Sequence, residues 1–252
     1  MMKKMKKSAY LVALSLLVST ASYSQSKDVV ASFGGSLAPW VFEEGPSGLL
    51  VDLLKDCLEP SGYTLKPKLH PYARRISEFV NGEVDVVTDI NQKIIDERGL
   101  KGYYTGNVYA YENFLFSLSE SEIKVSSIKE LSNYSLLSWQ GAITHIGGEY
   151  ATMASQNENY SETHNQKTQL RMLFSKRVDF IQMDRNIYEY YRQEMLQDSD
   201  LDVSVPVDIV PLFGKSPNGF LFKTEAARDA CISNMDKIKQ NSKYKNTLYF
   251  GD

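Results

Sequence analysis

Residues 63–90 read YTLKPKLHPYARRISEFVNGEVDVVTDI, and the class of fold can be inferred from this segment. Apolar and charged side chains alternate over Tyr63–Leu69, which is typical of a strand with one buried face. A helix is predicted over Ala73–Val80, because a proline precedes it and an Asn-Gly turn follows it. Val84–Ile90 is almost continuously apolar and predicts a buried strand. Strand, helix and strand in this order predict a mostly parallel sheet with helices on its faces.

The same alternation of strands and helices continues on both sides of this stretch. Upstream, we predict a strand at Val29–Phe33 and a helix at Leu49–Leu58. Downstream, a second α/β unit begins near residue 128, and the chain closes with a strand and a helix. The predicted elements of this part are a short helix at Ile128–Leu131, a strand at Tyr134–Trp139, a helix after Gly141 to about Met153, a helix at Gln169–Phe174, a strand at Val178–Met183, a helix at Ile187–Met195, a strand at Gly219–Phe222 and a helix at Ala226–Ile238.

Two long extended segments connect the two predicted units. Tyr109–Ser117 leads out of the first unit, and Val203–Leu212, which contains two prolines, leads back to it. Two similar α/β units joined by two crossings predict two lobes with a cleft between them. We expect lobe 1 to comprise residues 25–115 and 213–252, and lobe 2 to comprise residues 116–212.

The N-terminus has the three parts of a secretory signal peptide. Four lysines lie between residues 3 and 7, the apolar run Ala9–Val18 follows, and the small residues Ser22 and Ser24 precede a suitable cleavage site. The apolar run has ten residues, whereas a membrane-spanning helix needs about 20. We therefore expect residues 1–24 to be removed and the protein to be secreted into the periplasm. An uncleaved membrane tether is the alternative.

The charge of the chain indicates which partners to expect. Cleavage after Ser24 removes four lysines and no acid, so the formal net charge of −3 becomes about −7. An acidic protein without a basic block is a poor ligand for nucleic acid or for an anionic membrane surface. We therefore expect a monomer that has no nucleic-acid partner. No Cys/His cluster or phosphate-binding motif is present, so we also expect no metal and no cofactor.

Two cysteines, Cys57 and Cys231, lie 174 positions apart in the sequence. In an exported protein they can form a disulfide, because the compartment is oxidising. Two separate buried thiols are the alternative, and the sequence alone leaves both open.

Several short motifs follow one another in a recognisable order and spacing. They are Ala38-Pro39-Trp40, Gly48–Leu54, Pro71–Arg74, Asn81–Asp85, Gln140-Gly141, Lys176–Asp179 and Asp184. In these motifs the sequence resembles the family-3 extracellular solute-binding proteins, the periplasmic amino-acid-type substrate-binding components of ABC importers.

The resemblance implies both a fold and a function. The fold is an α/β, two-lobed, periplasmic-binding-protein-like fold of type II. Each lobe is a mostly parallel sheet flanked by helices, and two extended hinge crossings join the lobes. The implied function is binding of a small polar solute, an amino acid or a related compound, by lobe closure. The solute would then be delivered to an ABC permease in the inner membrane.

Two charged residues are the main ligand-binding candidates. By resemblance, Arg98 matches the family arginine that holds a ligand carboxylate, and a guanidinium group suits that task because it pairs with two oxygens at once. A solvated loop arginine is the alternative. Asp184 matches the family acid that receives a ligand ammonium group, and its alternative role is the N-cap of the helix that follows.

Other candidates lie near the ends of predicted strands, where open α/β sheets bind their ligands. They are Trp40, Tyr72, Arg74, Asp89, Trp139, Gly141 and Thr144. Core packing is the alternative for each tryptophan. Asp89 departs from the family pattern, and its carboxylate is expected to cancel the charge of Arg98. The ligand is then cationic, zwitterionic with a larger apolar part, or not an amino acid.

Two other functions remain open. A ligand-sensing protein that docks on a membrane receptor would use the same cleft. A dehydratase-like enzyme would use Asp89 or Glu149 as general acid or base. The sequence has no Ser/His/Asp order and no metal pair, and we expect its three histidines at the surface or in loops. We therefore expect no catalytic residues and no enzymatic activity.

Overall fold

The computed structural model describes residues 27–197, 200–244 and 248–249, and the predicted signal peptide at residues 1–24 lies outside them. The strands in this part of the chain are β1 Lys27–Phe33, β2 Tyr63–Leu69, β3 Val86–Ile90, β4 Tyr103–Tyr104, β5 Tyr109–Leu118, β6 Leu136–Trp139, β7 Tyr160–Thr163, β8 Phe180–Asp184, β9 Val207–Val210 and β10 Lys215–Phe222. The α-helices are α1 Leu49–Leu58, α2 Tyr72–Asn81, α3 Gln92–Arg98, α4 Ala142–Ile146, α5 Gly148–Gln156, α6 Gln166–Phe174, α7 Arg185–Gln197 and α8 Glu225–Lys239. Among these helices, none has the length and apolarity required to span a bilayer.

The strands form one curled, mixed sheet in the order β2-β1-β3-β10-β5-β8-β6-β7, with β4 beside β10 and β9 beside β5. At one end, β1 pairs in parallel with β2 and β3. At the other end, β6 pairs in parallel with β7 and β8. The parallel pairing predicted from the strand-helix-strand order therefore holds at both ends. The centre is antiparallel, because β10 and β5 run against their neighbours.

Strand β5 belongs to both halves of the sheet. Its first part, Tyr109–Glu112, pairs with Lys215–Asn218 of β10. From Asn113 onwards it pairs with β8 and then with β9. The chain returns to the first half between β9 and β10, at residues 211–214. Two extended crossings therefore connect the halves, and both lie at the centre of the sheet.

Helix α3 was not predicted, and the single helix predicted after Gly141 is two helices. The Asn91 side chain accepts a hydrogen bond from the Ile94 amide (3.0 Å) and caps α3, which has seven residues and ends at Arg98, with Gly99 as its C-cap. Such a short helix has too few turns for a clear periodicity. Gly147, with φ 66°, separates α4 from α5, because its left-handed conformation interrupts the helix. Arg98 is consequently the last residue of a helix and not a loop residue.

A disulfide between Cys57 and Cys231 joins α1 to α8, with the two Cα atoms 4.4 Å apart. Both cysteines are fully buried, and they lie among the apolar residues that α1 and α8 turn towards the sheet, including Leu54 and Met235. Of the two alternatives that the sequence left open, the structure has the disulfide. The bond fastens the last long helix of the chain to the first half of the sheet.

Replacing both cysteines (Cys57→Ala with Cys231→Ala) is expected to lower the free energy of unfolding by about 3–5 kcal/mol, because the disulfide closes a very long loop in the unfolded chain. Urea denaturation of the oxidised wild type and the double variant measures the difference. Reduction of the wild type should reproduce most of the loss. A loss below about 1 kcal/mol would show that the bond adds little to folding.

Candidate functional site

A cavity with about 440 Å³ of empty space, part of it open to solvent, lies between the two halves of the structure. Residues of α2, β3, β5 and β10 line it from one side, and residues of the second half line it from the other. The lining residues are Leu37, Tyr72, Arg75, Asp89, Tyr111, Asn113, Trp139, His145, Gln166, Asp184, Ile187, Ser216 and Asn218.

A buried ion pair lies at the wall of this cavity. Arg75, on α2, donates from Nη1 to the Asp89 carboxylate and to Thr88 Oγ1 (3.1 Å). Both charged side chains are buried. Asp89 lies near the carboxyl end of β3 and has a φ of 58°, a left-handed conformation that is rare for a residue other than glycine. Such outliers occur often at ligand sites.

Two tyrosines of β5 complete the surroundings of Asp89. The Tyr109 and Tyr111 hydroxyls donate to Asp89 Oδ1 at 3.0 and 2.7 Å, and the Asp89 amide donates to the Tyr109 oxygen at 2.8 Å. Burial by itself raises the pKa of Asp89, but Arg75 and the two tyrosine hydrogen bonds outweigh it and hold the pKa below its usual value. The Asp89 carboxylate is therefore ionised, and its charge compensates that of Arg75.

Asp184, at the end of β8, accepts four hydrogen bonds. The Trp40 Nε1–H donates to its Oδ1 at 3.1 Å, and the Glu112 amide donates to its Oδ2 at 2.8 Å. The amides of Asn186 and Ile187 donate to Oδ1 at 3.0 and 3.2 Å, so Asp184 caps α7. Burial raises the pKa of Asp184 to about 6, although these hydrogen bonds oppose the shift. Through these hydrogen bonds Asp184 connects Trp40 of the first half, strand β5 and helix α7.

Aromatic rings from both halves meet at the cavity. The His145 ring lies edge-on to Tyr72, with 6.3 Å between ring centroids, and to Trp139, with 5.4 Å. Asn91 Nδ2 lies 3.2 Å from His145 Nε2 across the cleft. The expectation that all three histidines lie at the surface or in loops is wrong for His145, which is buried on α4. Burial lowers the pKa of His145 to about 4, so the ring is neutral at pH 7.

The two halves also touch beside the cavity. The Ser36 hydroxyl donates to Asn165 Oδ1 at 3.3 Å, and the Tyr191 hydroxyl donates to Ser36 Oγ at 3.3 Å. Together with the contact between Tyr72 and His145, these bonds hold the halves against each other around the cavity. The structure is therefore a closed arrangement of the two halves.

Among the described residues that line the cavity, five have a buried polar atom without a protein partner. They are the Tyr72 hydroxyl, Arg75 Nε, His145 Nδ1, Gln166 Oε1 and Asn218 Oδ1. Buried polar atoms are nearly always hydrogen-bonded, so unpartnered ones beside a cavity indicate a site for a polar ligand or for water. Tyr72, Arg75 and Asn218 come from the first half, and His145 and Gln166 come from the second. A ligand bonded to atoms of both groups would touch both halves.

Four of the predicted site residues line the cavity, and five do not. Tyr72, Asp89, Trp139 and Asp184 are in its wall. Trp40 is buried behind it, against Tyr111. Arg74 is exposed and forms an ion pair with Glu78, and Arg98 is exposed at the end of α3. The Gly141 amide donates a hydrogen bond to Glu162 Oε2 (2.7 Å). Thr144 is half-buried on α4.

The arginine at the cavity is Arg75, and the sequence analysis did not single it out. Tyr72, Ile76 and Phe79 are spaced at four and three residues, so they mark the apolar face of α2, and Arg75 lies on that face. This periodicity was a usable signal, because a charged residue on an apolar helix face needs a buried partner. The partner of Asp89 is accordingly Arg75, and not Arg98 as expected. The other lining residues that are not among the predicted site residues are Leu37, Tyr111, Asn113, His145, Gln166, Ile187, Ser216 and Asn218.

The sequence matches no protein-family model and no curated protein, but the structure is similar to solved ones. A histidine kinase sensor domain with similarity to periplasmic binding proteins matches with a TM-score of 0.71 and 17% identity, covering 87% of this chain and 93% of that chain. An ancestral arginine-binding protein bound to glutamine matches with a TM-score of 0.67 and 15% identity, covering 88% and 96%. An ABC uptake transporter substrate binding protein from Streptococcus pneumoniae with bound histidine matches with a TM-score of 0.65 and 16% identity, covering 86% and 89%.

Similarity at these identities establishes the fold. The chain has the two-lobed, periplasmic-binding-protein-like α/β fold that its resemblance to family-3 solute-binding proteins implies, and proteins of that kind are among its structural neighbours. The neighbours named above are binding proteins and a sensor domain rather than enzymes.

Asp184→Ala is expected to lower the free energy of unfolding by about 2–4 kcal/mol, because it removes the cap of α7 and leaves the Trp40 indole N–H and the Glu112 amide without their acceptor. Urea denaturation measures the loss. Glu189→Ala on the same helix is the matched control, since Glu189 is exposed and bonded only to the exposed Arg185. If the free energy of unfolding falls by the same small amount in both variants, the hydrogen bonds of Asp184 do not hold the two halves together.

His145→Gln is expected to change how stability depends on pH. The unfolded chain takes up a proton on this histidine as pH falls below about 6.5, while the folded protein resists protonation until pH 4 is approached. The free energy of unfolding therefore decreases as pH falls through this window. Between pH 6.5 and 5, the wild type should lose about 2 kcal/mol more than His145→Gln. Urea denaturation of the wild type and His145→Gln across this range tests it, and His164→Gln, at an exposed position, is the matched control. Identical profiles for His145→Gln and the wild type would refute the prediction.

Proposed function

We propose that this protein binds a small polar solute in the cavity and that the two lobes close over it. The observation that carries the proposal is that residues from both halves line one cavity and have unpartnered buried polar atoms, with Tyr72, Arg75 and Asn218 on one side and His145 and Gln166 on the other. A ligand that contacts both lobes binds the closed state better than the open state, and so shifts the population towards it.

The hinge of this motion would lie in the two crossings. Strand β5 changes partners between Glu112 and Asn113, and the chain returns at residues 211–214. A few residues at such points can absorb the rotation while the lobes move as rigid bodies. On this proposal lobe 1 comprises residues 25–115 and 213–252, and lobe 2 comprises residues 116–212.

We propose delivery of the solute to an ABC permease in the inner membrane as the purpose of binding. The signal-peptide pattern of residues 1–24 supports export to the periplasm, and an ABC uptake transporter substrate binding protein is among the structural neighbours. Docking of the closed monomer on a membrane sensor is the second candidate. It is favoured by the similarity to a histidine kinase sensor domain.

An enzymatic role is not part of the proposal. Asp89 is one of the two carboxylates that the sequence offers for acid–base chemistry, but Arg75 and two tyrosines hold it ionised and occupy both of its oxygens. Such a group is a poor proton acceptor and has no proton to donate. Glu149 is exposed on α5 and is not in the cavity wall. Neither carboxylate has the surroundings of a general acid or base.

A thermal-shift screen of residues 25–252 against amino acids, polyamines, organic acids, small peptides and uncharged ring compounds is expected to find a compound that raises Tm, because a ligand of the folded state stabilises it by mass action. Trp139→Ala should abolish the shift, since Trp139 is half-buried in the cavity wall. Arg74→Ala is the matched control and should keep it, since Arg74 is exposed outside the cavity. A screen without any shift, or a shift that survives Trp139→Ala, would contradict the proposal.

A further inference from the structure

The charges at the cavity are compensated within the protein. Among the described residues that line it, Arg75, Asp89 and Asp184 are the acidic and basic side chains other than His145. Arg75 and Asp89 are bonded to each other. The guanidinium group that a ligand carboxylate would seek already has a carboxylate partner, and a second anion beside it would be repelled by Asp89.

Asp184 is compensated in a different way. Three N–H groups donate to its Oδ1 and one donates to its Oδ2, so its acceptor capacity is largely used. Two of the donors are amides at the start of α7, where the helix dipole favours a negative charge. Asp184 therefore has little left to offer a ligand ammonium group.

No further cation of the described residues is in the cavity wall. Arg74 and Arg98 are exposed outside it, and the buried His145 ring is neutral at pH 7. A free amino acid brings a carboxylate and an ammonium group into a site of this kind, and burying either without a partner is unfavourable. The cavity is therefore poorly suited to a zwitterion or to an organic anion.

The groups that remain available are single hydrogen-bonding atoms, and the one cation among them is already paired with Asp89. The Tyr72 hydroxyl and the Nε–H of Arg75 can donate, Gln166 Oε1 and Asn218 Oδ1 can accept, and His145 Nδ1 is also without a partner among the described residues. The carboxamides of Asn113 and Asn218 line the same cavity. The aromatic rings in its wall, those of Tyr72, Tyr111, Trp139 and His145, suit a flat ligand that is apolar on its faces and polar at its edge.

We propose that the cavity takes an uncharged planar ring with amide-type donors and acceptors, the chemistry of a pyrimidine base or an aromatic amide, and that Asp89 sets this preference by occupying Arg75. This inference rests on the proposed function and names the ligand class of the same site. It differs from the free amino acids bound by an ancestral arginine-binding protein and a Streptococcus pneumoniae substrate binding protein.

Calorimetric titration of the mature protein with matched ring pairs tests the inference. Uracil is compared with orotate, and nicotinamide with nicotinate, so that each pair differs by a carboxylate. At least one uncharged ring is expected to bind, at least tenfold more tightly than its carboxylate partner. Glutamine, arginine and histidine form a third arm, in which no binding is expected.

The Asp89→Asn variant tests the role of Asp89 directly. Without the negative charge of Asp89, Arg75 has an uncompensated positive charge. The ratio of the affinity for the uncharged ring to the affinity for its carboxylate partner should therefore fall at least tenfold. Glu83→Gln is the matched control, because it removes one negative charge from an exposed position just before β3. Circular dichroism shows whether Asp89→Asn folds, and if it does not, the wild-type ratios decide.

The outcomes separate the inference from the function on which it rests. Tight binding of an amino acid or of a carboxylate ring would overturn the inference and leave solute binding standing. Failure of both uncharged rings, with a hit elsewhere in the broader thermal-shift screen, would overturn the ring class alone. If no compound binds in any arm of the titration and none raises Tm in that screen, both the inference and the proposed function are overturned. An unchanged ring preference in a folded Asp89→Asn would remove Asp89 as its cause.

Discussion

The buried pair of Arg75 and Asp89 is the interaction on which the rest of the site depends. Neither charge is stable alone in the interior, because a buried ion without a partner is strongly unfavourable. Their contact fixes α2 against the end of β3, and the hydroxyls of Tyr109 and Tyr111 add β5 to the same cluster. These contacts also compensate the charge of Arg75 within the protein, without a ligand.

The second connection between the two halves is Asp184, whose carboxylate oxygens accept hydrogen bonds from three separate parts of the chain. Trp40 belongs to the first half, Glu112 lies where β5 changes partners, and α7 belongs to the second half. A carboxylate in this position ties the closed halves together through hydrogen bonds that a modest rotation would break. The same residue therefore contributes to stability and to the proposed closure, which explains why a helix cap is found in the cavity wall.

The structural neighbours show how little the fold alone says about function. Proteins at 15–17% identity share this architecture while one is a kinase sensor domain and another an uptake component. Function on a shared fold is decided by the residues at the site. Here those residues compensate each other's charge, so the chemistry of the cavity differs from that expected for a site that holds a free amino acid.

Most of the strands and longer helices could be predicted from the sequence, because hydrophobic period and turn residues are local properties, and α1 and β2 have the predicted limits. The short elements α3, β4 and β7 were not predicted, because they have too few residues for a clear period. The sequence also supplied four residues of the cavity wall, since ligand sites lie near strand ends. The folded structure was needed to show that Arg75 and not Arg98 contacts Asp89, that His145 is buried, and that Cys57 and Cys231 are bonded. These pairings join positions far apart in the chain, and a side chain's partner depends on which distant elements pack beside it.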